Sequence, residues 1–215
     1  MKKHFLITAG PTREAIDPVR YLTNRSSGKM GYALAGAAAH EGHRVTLISG
    51  PCDLDVPEGV DFLPVESAKE MYDAVEHYIS KTDIAIFAAA VADYRPASVP
   101  EQKIKKEADS LTLELVKNPD ILGSARKKFA FTGTLVGFAA ETENALTNAR
   151  SKLVRKHCDL IVANDVSRSD IGFDSSENEV TLVYPDHELK LPKENKYQLA
   201  LDIIEKSLEI NALRQ

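Results

Sequence analysis

Residues Ile84-Ala85-Ile86-Phe87-Ala88-Ala89-Ala90 form an apolar run with no polar alternation. A strand with one wet face alternates, whereas a strand buried on both faces does not. The run therefore asks for cover on both sides, and helices on the two faces of a mostly parallel sheet supply it. The rest of the chain agrees. Phe5-Leu6-Ile7-Thr8 reads as a short buried strand running into the Gly10-Pro11 breaker. The Ala-rich stretch Lys29 to His40 reads as a helix stopped at Gly42, and its small residues suggest close packing on a sheet. Val45–Ile48 and Phe62–Val65 read as strands, and Ser67 caps a helix that runs to about Ser80. Leu135–Ala140, a helix near 144–157 and Leu160–Asn164 repeat the unit. The C-terminal helix places Tyr197, Ala200, Leu201, Ile204 and Leu208 on one face. The expected fold is α/β, Rossmann-like and doubly wound, in a single domain over 1–215.

Two segments break the alternation. Residues 98–117 and 173–192 read as hairpins, the second built from Val180–Tyr184, a Pro-Asp turn and Leu189–Leu191. Two-stranded ribbons are marginal alone in water, so they must pack on the main domain or on a second subunit.

Composition excludes several function classes. Lys plus Arg is 27 against 32 for Asp plus Glu, a net charge of −5, which argues against a general nucleic-acid or membrane-surface binder. No apolar run approaches the roughly 18–20 residues of a spanning helix, and the start is too short for a signal peptide. Cys52 and Cys158 lie in unrelated contexts, suggesting neither a disulfide framework nor a zinc site. A cytoplasmic protein is expected.

In such a sheet ligands bind at the carboxyl ends of the strands. After the first strand comes a long polar loop, residues 10–28, that is neither GxGxxG nor a P-loop, because Thr23 stands where the P-loop needs glycine. Ser26-Ser27-Gly28 leads from it into a helix, a fit for an anion, although an ordinary Ser/Gly helix start looks the same. Asp93 follows the Ile84–Ala90 run. Lys103-Ile104-Lys105-Lys106 reads equally as a solvated edge. Asn118-Pro119-Asp120 is a helix start, and Lys152 and Lys156 share a helix face where they also complement the helix dipole.

Taken in order, GPTREAIDPVRYLTNRSSGKMG (10–31), AAAVADYRP (88–96), KIKK (103–106), VKNPDIL (116–122), VGFAAET (136–142) and ANDV (163–166) resemble the phosphopantothenoylcysteine synthetase family, of the bacterial CTP-dependent type. The resemblance implies a ligase of coenzyme A biosynthesis that joins 4′-phosphopantothenate to L-cysteine. The carboxylate attacks the α-phosphate of CTP and pyrophosphate leaves. The cysteine amine then attacks the acyl-cytidylate and CMP leaves. Mg²⁺ is the implied cation.

Residue by residue, Lys103 matches the family's catalytic lysine on a mobile flap. Asn24 matches the asparagine that holds the substrate carboxylate and acyl intermediate, with Arg20 one helical turn before it. Pro119, Asp120, Ile121, Leu122 and Phe138 match nucleotide-contacting positions, and Lys152 and Lys156 a lysine pair on the nucleotide side. Asp93 matches a nucleotide- or metal-associated acid. Gly10, Ser26, Ser27 and Gly28 match the phosphate-binding backbone. Family members are often fused behind a flavin-dependent decarboxylase. Here Met1 directly precedes the first strand, so either a stand-alone synthetase or a chain trimmed of its decarboxylase is expected, without flavin.

Two other classes share the βαβ order. A nicotinamide-dependent oxidoreductase lacks its GxGxxG and Tyr-x-x-x-Lys relay here, and a non-catalytic nucleotide-binding module leaves the lysines and Asn24 without a purpose. The apolar faces of the two hairpins, Leu111, Leu113 and Leu115 on one and Val180, Leu182 and Tyr184 on the other, are expected to pair in a homodimer.

Overall fold

The computed structural model describes residues 1–106, 109–141, 143–165 and 177–214, apart from the side chains of Glu141 and Asp165. Its elements begin with β1 (His4–Ala9), β2 (Arg13–Ala15), β3 (Tyr21–Thr23), α1 (Lys29–His40), β4 (Arg44–Ser49), β5 (Val60–Pro64), α2 (Ala68–Ile79) and β6 (Ile84–Phe87). They continue with β7 (Tyr94–Pro96), β8 (Leu115–Lys117), α3 (Ile121–Lys127), β9 (Thr134–Glu141), α4 (Ala145–Lys156) and β10 (Leu160–Asp165). The last are β11 (Glu177–Asn178), β12 (Val180–Val183), β13 (Glu188–Lys190), β14 (Glu194–Asn195) and α5 (Lys196–Ala212).

Eight strands form one sheet in the order β13-β12-β10-β9-β6-β1-β4-β5. Every pair from β5 across to β10 is parallel, and β12 and β13 join antiparallel at the far edge. The chain leaves β1 in one direction for β4 and β5, then returns on its other side with β6, β9 and β10. The strand order therefore reverses between β1 and β6, the place where such sheets open a crevice at their carboxyl ends.

Alternate side chains of β1 serve opposite faces. Phe5, Ile7 and Ala9 pack with Leu34, Ala35 and Ala38 of α1 and with Leu199 and Ile203 of α5. Leu6 faces the other layer, with Met71, Val75 and Ile79 of α2, Ile121 and Ala125 of α3, and Ala149 and Leu153 of α4. Each such aliphatic side chain removed from water contributes about 1.5–3 kcal/mol. The small residues of α1 let it lie close: a Cβ on Gly31 would sit 2.4 Å from the Cβ of Ala9.

Helix α1 has the bounds expected, with Gly42 past its end at φ 80°. Ser67 caps α2, accepting from the Glu70 N–H at 3.2 Å. Three expectations change. β6 ends at Phe87 rather than Ala90, because its pairing with β9 stops at Phe87; Ala88 and Ala90 stay bonded to the β1 side alone, at the Thr8 and Gly10 carbonyls. The buried face of α5 is Lys196, Leu199, Ala200, Ile203, Ile204, Ser207 and Asn211, so Tyr197 faces outward at 42% exposure. The third concerns the hairpins. The 98–117 excursion is closed at its base by β7 pairing with β8, and the described residues between them form no strand.

In the other hairpin, residues 173–176 lie outside the described residues, and β12 with β13 extends the main sheet. Val180 and Leu182 are buried in this chain's own core at 1% and 0% exposure. They are not the dimer surface that the sequence suggested: an apolar strand gains more by completing a sheet than by standing as a ribbon. Glu188 and Lys190 then place charge on the exposed edge strand.

The two glycines of α1 give opposite expectations. Gly36→Ala, with Pro57 at ordinary contact distance of 3.6 Å, should stabilise the fold by about 0.5–1 kcal/mol through helix propensity. Gly31→Ala should instead destabilise it by about 1–3 kcal/mol, because the clash with Ala9 outweighs propensity. Urea denaturation of both variants gives the two signs.

Candidate functional site

At the reversal point, β1 passes into Gly10 at φ 70° and then into the loop that holds the antiparallel ribbon β2–β3. The ribbon is braced from several directions. Thr23 Oγ1 donates to the Thr12 carbonyl at 2.8 Å, the Arg13 guanidinium lies 4.6 Å over the Tyr21 ring, and buried Glu14 accepts from the Ala68 N–H at 2.9 Å. The loop ends at Gly28, whose φ of 78° begins α1 with no side-chain cap. A Cβ there would meet Cys52 Sγ at 2.4 Å, so the position needs glycine for both conformation and space. An uncapped helix start leaves its first N–H groups aimed at whatever lies in front.

In front lies a cavity of about 320 Å³. Ser26, Ser27 and Gly28 form one wall, Ala88–Val91 the floor, and Asn164, Asn178 and Lys196 the far side. Asn164, Asn178 and Lys196 are 8%, 3% and 7% exposed, and Asn164 Oδ1 has no hydrogen-bond partner among the described residues. A buried amide, a buried lysine and a helix start around one space suit an anion.

A second cavity, about 630 Å³, adjoins it. Its walls are residues 91–94, Lys117–Leu122 and the face of α4 carrying Asn148, Ser151, Lys152, Arg155 and Lys156. Asp93, Phe138, Lys152, Ala89 and Val91 line both cavities. Four cations against the carboxylates of Asp93 and Asp120 make the larger cavity locally basic in an acidic chain, as a polyphosphate requires. Lys152 Nζ donates to the Phe138 carbonyl at 2.6 Å, fixing the common wall. Asp120 caps α3 by accepting from the Gly123 N–H at 3.0 Å and also pairs with Lys156. Burial pushes the Asp120 carboxyl up, but Lys156 and the Gly123 N–H outweigh it and hold it below its ordinary value.

The sequence candidates thus separate into groups. Ser26, Ser27 and Gly28 line the smaller cavity; Pro119, Asp120, Ile121, Leu122 and Lys156 line the larger; Asp93, Phe138 and Lys152 line both. Gly10 lies behind the smaller one, its carbonyl accepting from the Ala90 N–H at 2.9 Å. Asn24, exposed at the rim, donates through Nδ2 to the Ala90 carbonyl at 3.0 Å. Lys103 is exposed and lines neither cavity. Arg20 is not a helical turn before Asn24: the two flank strand β3, and Arg20 binds Asp17 and the Ile104 carbonyl.

Asn164, Asn178, Lys196 and Arg155 line the cavities but were not singled out by sequence reasoning, and Asn118 was read only as part of a helix start. Asn164 carried a usable signal, a polar residue at the carboxyl end of a buried strand; Lys196 carried none, since nothing in sequence distinguishes a buried lysine from a surface one. Among the described residues no three His, Cys, Asp or Glu side chains converge as a metal cage. The Asp93 and Asp120 carboxylates beside a polyphosphate-sized cavity nevertheless suit Mg²⁺, which takes one or two carboxylates and completes its shell with phosphates and water.

The chain matches the family model of the DNA/pantothenate metabolism flavoprotein C-terminal domain over residues 1–210. It is 53% identical over 210 residues to the coenzyme A biosynthesis bifunctional protein CoaBC of Vibrio parahaemolyticus, covering 97% of this chain and 53% of that protein. It is 50% identical over 216 residues to the CoaBC protein of Bacillus subtilis, covering 98% and 52%. The chain therefore spans about half the length of these curated relatives. A crystal structure of the C-terminal domain of a CoaBC protein superposes with a TM-score of 0.82 at 40% identity, covering 98% of this chain and 96% of that one.

Neither cysteine is placed for nucleophilic work. Burial pushes the Cys158 thiol up to about 12, and burial raises Cys52 as well. Iodoacetamide at pH 8 should leave Cys158 unmodified in the folded protein and label it after denaturation, as peptide mass spectrometry will read. By sequence, cavity-bearing fold and structural likeness together, the chain belongs to the family of DNA/pantothenate metabolism flavoprotein C-terminal domains.

Proposed function

We propose that this chain is a phosphopantothenate–cysteine ligase of coenzyme A biosynthesis, joining 4′-phosphopantothenate and L-cysteine with CTP to give 4′-phosphopantothenoyl-L-cysteine, CMP and pyrophosphate. The observation that carries the reading is the pair of adjoining cavities with Asp93, Phe138 and Lys152 in their common wall. One is basic and large enough for a nucleotide; the other is smaller and walled by a helix start and a buried lysine. The likeness to bifunctional coenzyme A biosynthesis proteins over 97% of the chain supports it.

In this reading Lys152 and Lys156, with Pro119, Asp120, Ile121, Leu122 and Phe138, hold the nucleotide. Ser26, Ser27, Gly28, Asn164 and Lys196 receive the phosphate end of phosphopantothenate. Its carboxylate then meets the α-phosphate at the common wall, and pyrophosphate departs. Asn24, a neutral donor at the rim, holds the acyl oxygen while the cysteine amine attacks and CMP leaves. Lys103 stabilises charge developing at the α-phosphate. Both steps depend on positioning and charge neutralisation, which fits a site without an activated nucleophile. Mg²⁺, held by Asp93 and phosphate oxygens, would neutralise part of the triphosphate charge.

Mass spectrometry after incubation with 4′-phosphopantothenate, CTP, Mg²⁺ and cysteine should show the amide, CMP and pyrophosphate, with ATP and no-nucleotide incubations as controls. Release of no CMP would reject the reading, and NAD(P)H oxidation would favour an oxidoreductase. Lys103→Gln should lower kcat by about two to three powers of ten while leaving the circular dichroism spectrum unchanged, because its exposed side chain supports no packing.

Lys103 lines neither cavity of its own chain, and its loop exposes Val99, Leu111 and Leu115 at 52%, 55% and 43%. We propose that a second copy covers these side chains and receives Lys103 at its nucleotide. Sedimentation at micromolar concentration should therefore give twice the 23.6 kDa chain mass. A fully active monomer would overturn the shared site.

A further inference from the structure

Asp17 stands at the turn between β2 and β3, yet it is only 2% exposed. Its Oδ1 accepts from the N–H groups of Val19 and Arg20, both at 2.9 Å. These bonds brace a turn that the Ile16 and Asp17 N–H groups also close, donating to the Arg20 carbonyl at 2.8 and 3.2 Å. Its Oδ2 has other partners: Arg20 Nε at 3.0 Å and the backbone N–H of Ile104 at 3.1 Å. Arg20 Nη2 completes the figure by donating to the Ile104 carbonyl, also at 3.1 Å. Both backbone polar groups of residue 104 are thus held by one ion pair far away in sequence, and the residue before it is Lys103.

The holder is rigid. The ribbon behind Asp17 is fastened by the Thr23, Arg13 and Glu14 contacts described above, and the Arg13 N–H donates to the Glu66 carbonyl at 2.8 Å. Past its other strand, Asn24 donates to the Ala90 carbonyl in the floor of the smaller cavity. The same small ribbon therefore connects the Lys103 segment to the substrate wall.

We propose that Asp17 is a positioning residue: together with Arg20 it clasps the backbone of residue 104 and so fixes where Lys103 is presented. The catalytic meaning of the clasp rests on the reading of Lys103 given under the proposed function; its structural meaning does not. A charged clasp suits this task because charge-assisted bonds to backbone are stronger than neutral ones and the carboxylate is shielded from water. A misplacement of about 1 Å at a reacting group costs on the order of a hundredfold in rate.

Asp17→Asn is the test, since the amide keeps the volume and can keep the turn through Oδ1. Its NH2 then faces the Ile104 N–H and the guanidinium, three donors with no acceptor. Turning the amide over restores that corner but gives up the bonds from the Val19 and Arg20 N–H groups. The variant should lower kcat roughly ten- to hundredfold with the KM for CTP within about twofold, and trypsin should cut after Lys103 and Lys105 about tenfold faster than in the wild type. Ile104→Pro approaches from the other partner, removing the N–H and sparing the ion pair; it should lower kcat likewise and speed cleavage after Lys105. If Asp17→Asn fails to fold, the proline variant decides. Wild-type kcat and wild-type cleavage in a folded variant would overturn the clasp. If the wild-type protein releases no CMP, the functional reading fails on its own, and the cleavage rates still decide whether the clasp exists.

Discussion

The N–H of Ala90 donates to the Gly10 carbonyl at 2.9 Å, and the Ala90 carbonyl accepts from Thr12 at 3.3 Å and Asn24 at 3.0 Å. With the Ala88 N–H on the Thr8 carbonyl at 3.1 Å and the Ala92 N–H on Thr12 Oγ1 at 3.0 Å, these bonds tie together the two strands whose paths diverge at the reversal of the sheet. The tie fixes the loop after β1 against the end of β6, and Ala90 itself lines the smaller cavity. The tie is backbone on one side and a single short amide on the other, so it works only where side chains are small. Ala88-Ala89-Ala90 meets that need, as does Gly28 with Cys52 pressed against it. Burial and site formation thus draw on the same residues: a sheet covered on both faces has only its strand ends left for a ligand.

Electrostatics divides the labour differently. The chain is acidic overall, at −5, yet the larger cavity gathers Lys117, Lys152, Arg155 and Lys156. Two of these lysines are already occupied by protein. Lys156 meets Asp120, and Lys152 meets the Phe138 carbonyl, so neither side chain has to be ordered from scratch when an anion arrives. Their partners are themselves fixed, Asp120 by capping α3 and Phe138 by its place in β9. Preorganised donors of this kind stabilise developing charge without reorganising at the moment of reaction.

Much of this was legible in the sequence, for reasons that are local. The Ile84–Ala90 run required cover on both faces, Gly42 marked the stop of α1, and Ser67 with Glu70 marked the start of α2. Asp120 read as a helix start and is one. What escaped depended on distance in the chain. The face of α5 was read in part: Ala200 and Ile204 are buried and Leu201 and Leu208 pack on the core, whereas Tyr197 faces out and Leu199 and Ile203, a fraction of a turn away, take its place. The hairpin face of Val180 and Leu182 was apolar as read, but its cover is the core cluster with Leu199 and Ile203 of α5 rather than another subunit. Lys196 and Asn178 join the smaller cavity only after the last helix docks. Helical spacing put Lys152 and Lys156 on one face, and the structure brings both to the larger cavity, whereas Asn24 and Lys103 were proposed for the site through the resemblance.

Arg20 illustrates how residue type and role come apart. An exposed arginine in the polar loop after β1 invites the reading of an anion ligand, and its match to the family encouraged that. In the fold its guanidinium is engaged by Asp17, whose carboxyl it holds far below the usual carboxylate range, and by the Ile104 carbonyl. A guanidinium with five donors in a fixed fork can serve the carboxylate on one edge and a carbonyl on the next, which an ammonium cannot do with the same geometry. Its 43% exposed side chain still has an edge toward solvent, so contact with a substrate and the clasp on residue 104 are compatible. Arg20 then stands where the β2–β3 ribbon, the Lys103 segment and Asp17 meet.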